Sequence, residues 1–297
     1  MGYVFQEHET VSDGVKRIAL EQLDKVFQYT KSGEKNRDEA IHDARVSLKK
    51  LRALLRLVQV KSNTHVLTQE RVCYRNAARR MSGVRDTTAI IEAFDKLTNH
   101  YADQLAPKAF SELRKPFLRT QKRQQGNKSK ALADVARMLK SARQRVSDWA
   151  IEDDGFAVLR SGFKRVYRKG RATMVRAQSK PSVENFHEWR KRVKDLGYQI
   201  RLLRPIWEGM LDALANEFDK LADYLSHDHD LALLRQRMVQ NPSEGRTPVK
   251  TMVALIDQRR KELQVEAKRL GIRMYAEKPS AFVRRIEVYW RAWCLKD

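Results

Sequence analysis

Ile41-His42-Asp43-Ala44-Arg45-Val46-Ser47-Leu48-Lys49-Lys50-Leu51-Arg52-Ala53-Leu54-Leu55-Arg56 carries two residue classes at helical spacing. Wound at about 100° per residue, His42, Arg45, Lys49, Arg52 and Arg56 fall within an arc of roughly 80°. Ala44, Leu48, Leu51, Leu55 and Val58 occupy a separate face. One side of such a helix enters a core while the other displays a row of cations. From His42 to Arg56 that row is about 21 Å long at about 1.5 Å per residue.

The device recurs in Phe186-His187-Glu188-Trp189-Arg190-Lys191-Arg192-Val193-Lys194-Asp195-Leu196-Gly197-Tyr198-Gln199-Ile200-Arg201. There His187, Arg190, Lys194, Tyr198 and Arg201 share a face, Lys191 lies at its edge, and Trp189, Leu196, Ile200 and Leu203 lie opposite. His42 and His187 are 145 residues apart, and Arg85-Asp86 and His229-Asp230, each after a small-residue break, are 144 apart. In both halves a helix precedes the striped one and a long helix follows, the order expected of a duplicated subdomain. A single basic helix face is most often a solvated surface. Two of them at matching places, each tolerating like charges three and four residues apart, point to a missing anionic ligand.

The chain is 297 residues long with 42% hydrophobic residues, enough for one large or two medium domains with real cores. Sixty Lys plus Arg against 37 Asp plus Glu leave a formal charge of +23. That field favours a polyanion such as nucleic acid, a phosphate polymer or an anionic surface. Seven prolines, twelve glycines and no sustained alternation predict an all-α chain. Cys73 and Cys294 make neither a disulfide framework nor a metal cluster, which suits a reducing, cytoplasmic setting. The N-terminus lacks the pattern of a signal peptide, and no apolar run reaches membrane-spanning length.

Helical periodicity predicts a first helix capped by Ser12 and stopped at Ser32-Gly33-Glu34-Lys35-Asn36. The first striped helix reaches Val60 and breaks at Lys61-Ser62-Asn63. A helix over 66–97 is interrupted at Ser82-Gly83, and one over 105–122 is bent or divided by Pro116. Gln124 to Lys128 read as a turn before a helix over 131–150. Ile151-Glu152-Asp153-Asp154-Gly155 is the expected boundary between a first half, 1–150, and a second, 151–297. Beyond it lie helices over 156–177, a striped helix ending before Pro205, a long helix over 211–238 with a break near His227, and helices over 249–270 and 279–293. Asn241 to Gly245 form a loop, and Pro279 stands in a first helical turn. The expected architecture is two pseudo-symmetric helical bundles side by side, sharing a basic central groove.

Other cations are candidates for the same surface: Arg79, Arg80 and Arg85 after the first row, Arg165, Arg168 and Lys169 before the second, and Arg260 on a later helix. A linear polyanion suits such rows, because each cation meets a successive phosphate and arginine does so bidentately. His227-Asp228-His229-Asp230 raises the alternative of a metal-dependent phosphohydrolase, but Arg45 and Lys49 crowd its nearest partner, His42-Asp43, with positive charge. Ser226, Asp228 and Asp230 fit capping and hydrogen bonding at a helix break better, so no catalytic residue and no metal ligand is expected. Nucleic acid is the stronger rival, with Tyr167, Trp189, Tyr198 and Trp290 as stacking surfaces. No recognisable nucleic-acid module accompanies them, and Trp189 falls on an apolar face.

The two striped segments, with Leu221-Ala222-Asp223-Tyr224-Leu225-Ser226-His227-Asp228-His229-Asp230-Leu231-Ala232 and Tyr275 to Phe282, resemble the signatures of the CHAD domain, the conserved histidine α-helical domain. The likeness covers almost the whole chain. It implies a two-bundle helical fold whose basic groove binds inorganic polyphosphate without cofactors, in some members on polyphosphate granules. Nucleic acid is then expected as a weaker competitor. Residue by residue, the resemblance implies binding roles for His42, Arg45, Lys49 and Arg52, and for His187, Arg190, Lys191, Lys194 and Tyr198. Gly197 departs from the pattern, standing where the first half has Arg52, with Arg201 one turn on as compensation. Phe5 to Thr10 lacks the acidic strand pattern of the triphosphate hydrolase domain often attached in this family, so a stand-alone binding module is expected.

Overall fold

A computed structural model describes residues 2–31, 37–58, 64–104, 107–123, 125–151, 155–240 and 247–295. Within these, the side chains of 64, 84–86, 104, 107–110 and 125 are not described. The described residues form helices and turns with no strand among them. In chain order the helices are α1 Val11–Thr30, α2 Arg37–Leu57, α3 Thr64–Arg80, α4 Ser82–His100, α5 Pro107–Arg123, α6 Gln125–Gln144, α7 Ala157–Ser179, α8 Val183–Leu202, α9 Glu208–Val239, α10 Thr247–Met274 and α11 Pro279–Cys294.

The apolar faces read from periodicity are the buried ones. Ala44, Leu48, Leu51 and Leu55 of the first stripe's helix, Val58 just past its end at Leu57 rather than inside a helix reaching Val60, and Trp189, Leu196, Ile200 and Leu203 around the second all belong to one buried cluster. Burial of each large side chain contributes roughly 1.5–3 kcal/mol. That cluster also holds Ile18 and Leu23 of α1, Val135 and Leu139 of α6, Phe163 and Tyr167 of α7, Phe218 of α9 and Phe282 of α11. A second cluster joins Ile90, Phe94 and Leu97 of α4 to Leu234 of α9 and Met252 and Ile256 of α10.

Three backbone approaches set α2 and α8 in place. Gln199 Nε2 donates to the Ala53 carbonyl at 3.0 Å inside the core, tying the two striped helices together. The Tyr3 hydroxyl donates to the Lys50 carbonyl at 2.9 Å, with its ring edge-on to Tyr198 at 6.5 Å. On α7, Gly162 lies against the C-terminal turn of α2, where a Cβ would fall 1.9 Å from the Leu57 carbonyl oxygen.

Several boundaries differ from the sequence reading. Thr10, not Ser12, caps α1: its hydroxyl accepts from the Asp13 amide at 3.0 Å, and Val11 already belongs to the buried helical face. The expected break near His227 is absent, and α9 runs unbroken through 32 residues. The Ser226 hydroxyl satisfies itself by donating to the Ala222 carbonyl at 2.5 Å, one turn back, so its polarity does not interrupt the helix. Pro116 sits inside α5 without dividing it. The break between α3 and α4 falls at Met81. α6 begins at Gln125 and ends at Gln144, with Val146 and Trp149 buried in the turns that follow. Leu202 ends α8 before Pro205, and Pro279 opens α11, both as expected. The breaks expected at 32–36 and 61–63, the core of the boundary at 152–154 and the loop at 241–245 lie outside the described residues.

Candidate functional site

The row on α8 faces α9. Arg190 Nε donates to the Ser226 hydroxyl at 2.9 Å. Lys194 stands in the field of Asp223 and Asp230, yet burial, followed by the neighbouring charge of Arg190, pushes its ammonium down to about 8. The rings of His187 and His229 meet at 4.3 Å between centroids. Burial, Arg190 and the partner imidazole hold His229 down to about 3, and burial first, then Arg190 and Lys191, lower His187. Both rings are neutral in the free protein, because protonating either would place another cation in an already positive, partly dry site. Asp219 pairs with Arg201, and the buried Asp228 carboxylate accepts from Arg260 Nε at 3.0 Å and from Gln264 Nε2 at 2.9 Å.

On α2, His42 is exposed while Arg45, Lys49, Arg52 and Arg56 are half-buried. Arg45 Nη1 donates to the Ala78 carbonyl of α3 at 3.1 Å, which anchors one edge of its guanidinium. Where α2 meets α8, Arg56 Nη1 bonds Asp195 Oδ1 at 2.9 Å. Arg165 Nη2 of α7 donates to the Arg56 carbonyl at 3.0 Å. Burial first, then the charges of Arg56, Arg75 and Arg192 against the pull of Asp195, bring the Arg52 guanidinium down to about 10. Arg71 is lowered by burial and by Arg56 and Arg165. Lys169 is lowered by burial and by Arg192, Arg165, Arg56 and Arg168. Helices α2, α3, α7 and α8 therefore assemble a cation cluster around Asp195, whose own carboxyl is pushed up by burial against the opposing pull of Arg56, Arg192 and Arg52. Holding so many like charges together costs free energy that a bound polyanion would recover.

The expected residues are thus distributed unevenly. Arg52, Arg56, Arg165 and Lys169 fall in the cluster around Asp195, and Arg168 adds its field to Lys169. His187, Arg190, Lys194 and Tyr198 lie on the α8 face beside it. Lys191 is exposed and paired with Glu188, Arg260 is committed to Asp228, and Arg79 and Arg80 are exposed at the end of α3. The side chain of Arg85 lies outside the described residues. Gly197 is buried against α9, where a Cβ would lie at ordinary contact distance, 3.4 Å, from the Phe218 Cβ.

Arg71, Arg75, Arg192, Asp195 and His229 escaped the sequence reading as members of the site. Arg71, Arg75 and Arg79 follow the four-residue helical spacing of α3, a signal present in the chain. Arg192 and Asp195 lie well away from the histidine-led face of α8, so only the crossing of α2 over α8 brings them in.

Of the stacking candidates, Trp189 and Tyr167 are 0% exposed and Trp290 is 7% exposed. Tyr167 stacks on Phe282 at 4.1 Å, and Tyr198 is half-buried against Tyr3. These rings hold the core together and present no platform for bases. Among the described residues, no group of three or more His, Cys, Asp or Glu is arranged to hold a metal ion, and no helix is long and apolar enough to cross a membrane.

A helical fold that carries two histidine-led cation rows defines a class, and comparison gives it a family. The chain belongs to the CHAD domain family, whose model matches residues 17–239; CHAD domains are non-catalytic modules. Its fold is similar to that in the crystal structure of the CHAD domain from the plant Ricinus communis, with a TM-score of 0.64 and 14% identity over 91% of this chain and 94% of that one. At that identity the likeness is one of fold. No curated protein matches the chain.

Proposed function

We propose that the protein binds inorganic polyphosphate along a basic groove lined by the rows on α2 and α8, within two pseudo-symmetric bundles meeting near residue 151. The cation cluster gathered around Asp195 from four helices carries this reading, because it joins the C-terminal part of the first row to the second helix. A formal charge of +23 supplies the long-range attraction. Counterion release from successive phosphates makes the summed contacts strong and salt sensitive. A cytoplasmic module that docks on polyphosphate granules is the setting this chemistry fits.

Competition separates this reading from nucleic-acid binding. At equal phosphate concentration, long-chain polyphosphate displaces a labelled single-stranded oligonucleotide, since stacking is worth about 1–3 kcal/mol per base and the one Phe, Tyr or Trp in the rows, Tyr198, is half-buried edge-on to Tyr3. Retention of the oligonucleotide would reverse the ranking.

Two further outcomes follow from individual groups. Asp195→Asn strengthens polyphosphate binding several-fold at low salt, because one negative charge leaves the centre of the cation cluster. Stability stays within about 1 kcal/mol of the parent, since a carboxyl whose pKa is raised in the fold is already held less well there as an anion. Titration by calorimetry, paired with urea denaturation, measures both; weaker binding would remove Asp195 from the site.

The pH dependence comes from Lys194, lowered to about 8. The ammonium is charged below that value and neutral above it, so affinity falls as pH rises from 7 to 9.5. Lys194→Arg, charged throughout this range, flattens the profile. An equally steep decline in that variant would assign the titration elsewhere.

A further inference from the structure

Helices α8 and α9 are joined by the short turn Arg204–Ile206, and their charges meet in the reversed order of an antiparallel pair. Arg204 Nε bonds Asp212 Oδ1 at 3.1 Å, and Arg201 pairs with Asp219. Further along, Lys194 stands in the field of Asp223 and Asp230, and Arg190 in that of Asp230. Wound at about 100° per residue, Asp212, Asp219, Asp223 and Asp230 fall within an arc of roughly 40°, so one strip of α9 carries the carboxylates that meet the second cation row. Lys194, Tyr198 and Arg201 line a cavity of about 80 Å³ between the two helices together with Asp219 and Asp223. Apolar burial, not this strip, holds the helices together: Leu196, Ile200, Phe218 and Leu221 are all 0% exposed. The side chains of Arg201 and Asp219 are 39% and 37% exposed, and those of Arg204 and Asp212 are 49% and 43% exposed. Ion pairs as wet as these contribute little to stability.

An anion that approaches Arg201 or Lys194 competes with a carboxylate that the fold already holds beside the cation. A small phosphate gains little from that exchange, because it replaces one exposed ion pair by another and loses its own freedom of motion. A polymer exchanges several carboxylates, and after its first contact each further exchange is intramolecular. We infer that Asp219 and Asp223 are specificity-determining residues of the second row: they serve as its internal counter-ions, excluding small phosphate anions and yielding to a phosphate polymer. The inference rests on the reading of the groove as a polyphosphate site.

Calorimetry on the full chain with long-chain polyphosphate and with pyrophosphate tests it, on the parent, on Asp219→Asn and Asp223→Asn singly and together, and on Asp257→Asn. Asp257 pairs with Arg235 at 2.7 Å, with the arginine and aspartate side chains 41% and 39% exposed, and it does not line the cavity between α8 and α9. Its substitution therefore matches each single change in charge and in ion pairing away from the row. Each substitution at Asp219 or Asp223 strengthens polyphosphate binding about threefold and the two together about tenfold, the size expected of exposed ion pairs. Together they also steepen the fall of log affinity with log salt by about two, one for each cation released to a phosphate. Pyrophosphate binds the double variant with at least one more molecule per chain than the parent. Asp257→Asn changes neither the salt slope nor that number. If the double variant fails to fold, the single substitutions decide. Polyphosphate binding by the parent that these changes leave unaltered or weaken, a gain equalled by Asp257→Asn, or an unchanged number of bound pyrophosphates overturns the assignment and leaves the groove standing. Polyphosphate binding by neither parent nor variants overturns the groove and this assignment with it.

Discussion

Replacing Arg45, Lys49, Arg190 and Lys194 together by glutamine lowers affinity for long-chain polyphosphate about a thousandfold or more. Each side chain contributes about 1 kcal/mol or more through a charge-assisted contact, and four such losses sum to at least three powers of ten. Each lost cation also reduces the slope of log affinity against log salt by about one. Glutamine keeps a hydrogen-bonding side chain, so the Arg190 contact to Ser226 and the Arg45 contact to Ala78 have a substitute donor. Far-UV circular dichroism is unchanged. Folded protein with parental affinity and parental salt slope would take both rows out of the binding surface.

The second large effect is on stability. Gly162→Ala has a favourable helix-propensity term of about 1 kcal/mol, which by itself predicts a more stable protein. Packing reverses the sign. The added Cβ would lie 1.9 Å from the Leu57 carbonyl oxygen and 2.7 Å from that of Arg56, and these are backbone atoms that no rotamer change can move. α7 and α2 must separate, at a net cost of about 3 kcal/mol or more, the upper range of overpacked sites. The separation would also stretch the Arg165 contact to the Arg56 carbonyl, loosening the cation cluster. Urea denaturation measures the first effect and polyphosphate titration of the surviving folded fraction the second. A variant at least as stable as the parent would mean that α2 and α7 are not in close backbone contact.

Much of this arrangement is written in local spacing. The faces of α2 and α8 were legible because 3.6-residue periodicity separates His42, Arg45, Lys49 and Arg52 from Leu48, Leu51 and Leu55 without knowledge of neighbours. The same logic placed Trp189 in the core, where it is fully buried. Tertiary juxtaposition was not legible. Arg192 and Asp195 enter the site only because α2 crosses α8 at Gln199 and Ala53. Ser226 reads as a cap at a helix break near His227, but α9 is unbroken there, and the hydroxyl turns back to Ala222 and receives Arg190. Gly197 reads as a missing cation; in the fold it is buried against α9 beside Phe218. In each case a contact from a distant helix decided what local chemistry left open.

A crystal structure of the protein with a defined short-chain polyphosphate is the most direct measurement of the central claim. One continuous chain of phosphates is expected, contacting Arg45, Lys49 or Arg52 from α2 and Arg190 or Lys194 from α8. Phosphate density confined to one row, or seated on a surface that touches neither, would contradict it.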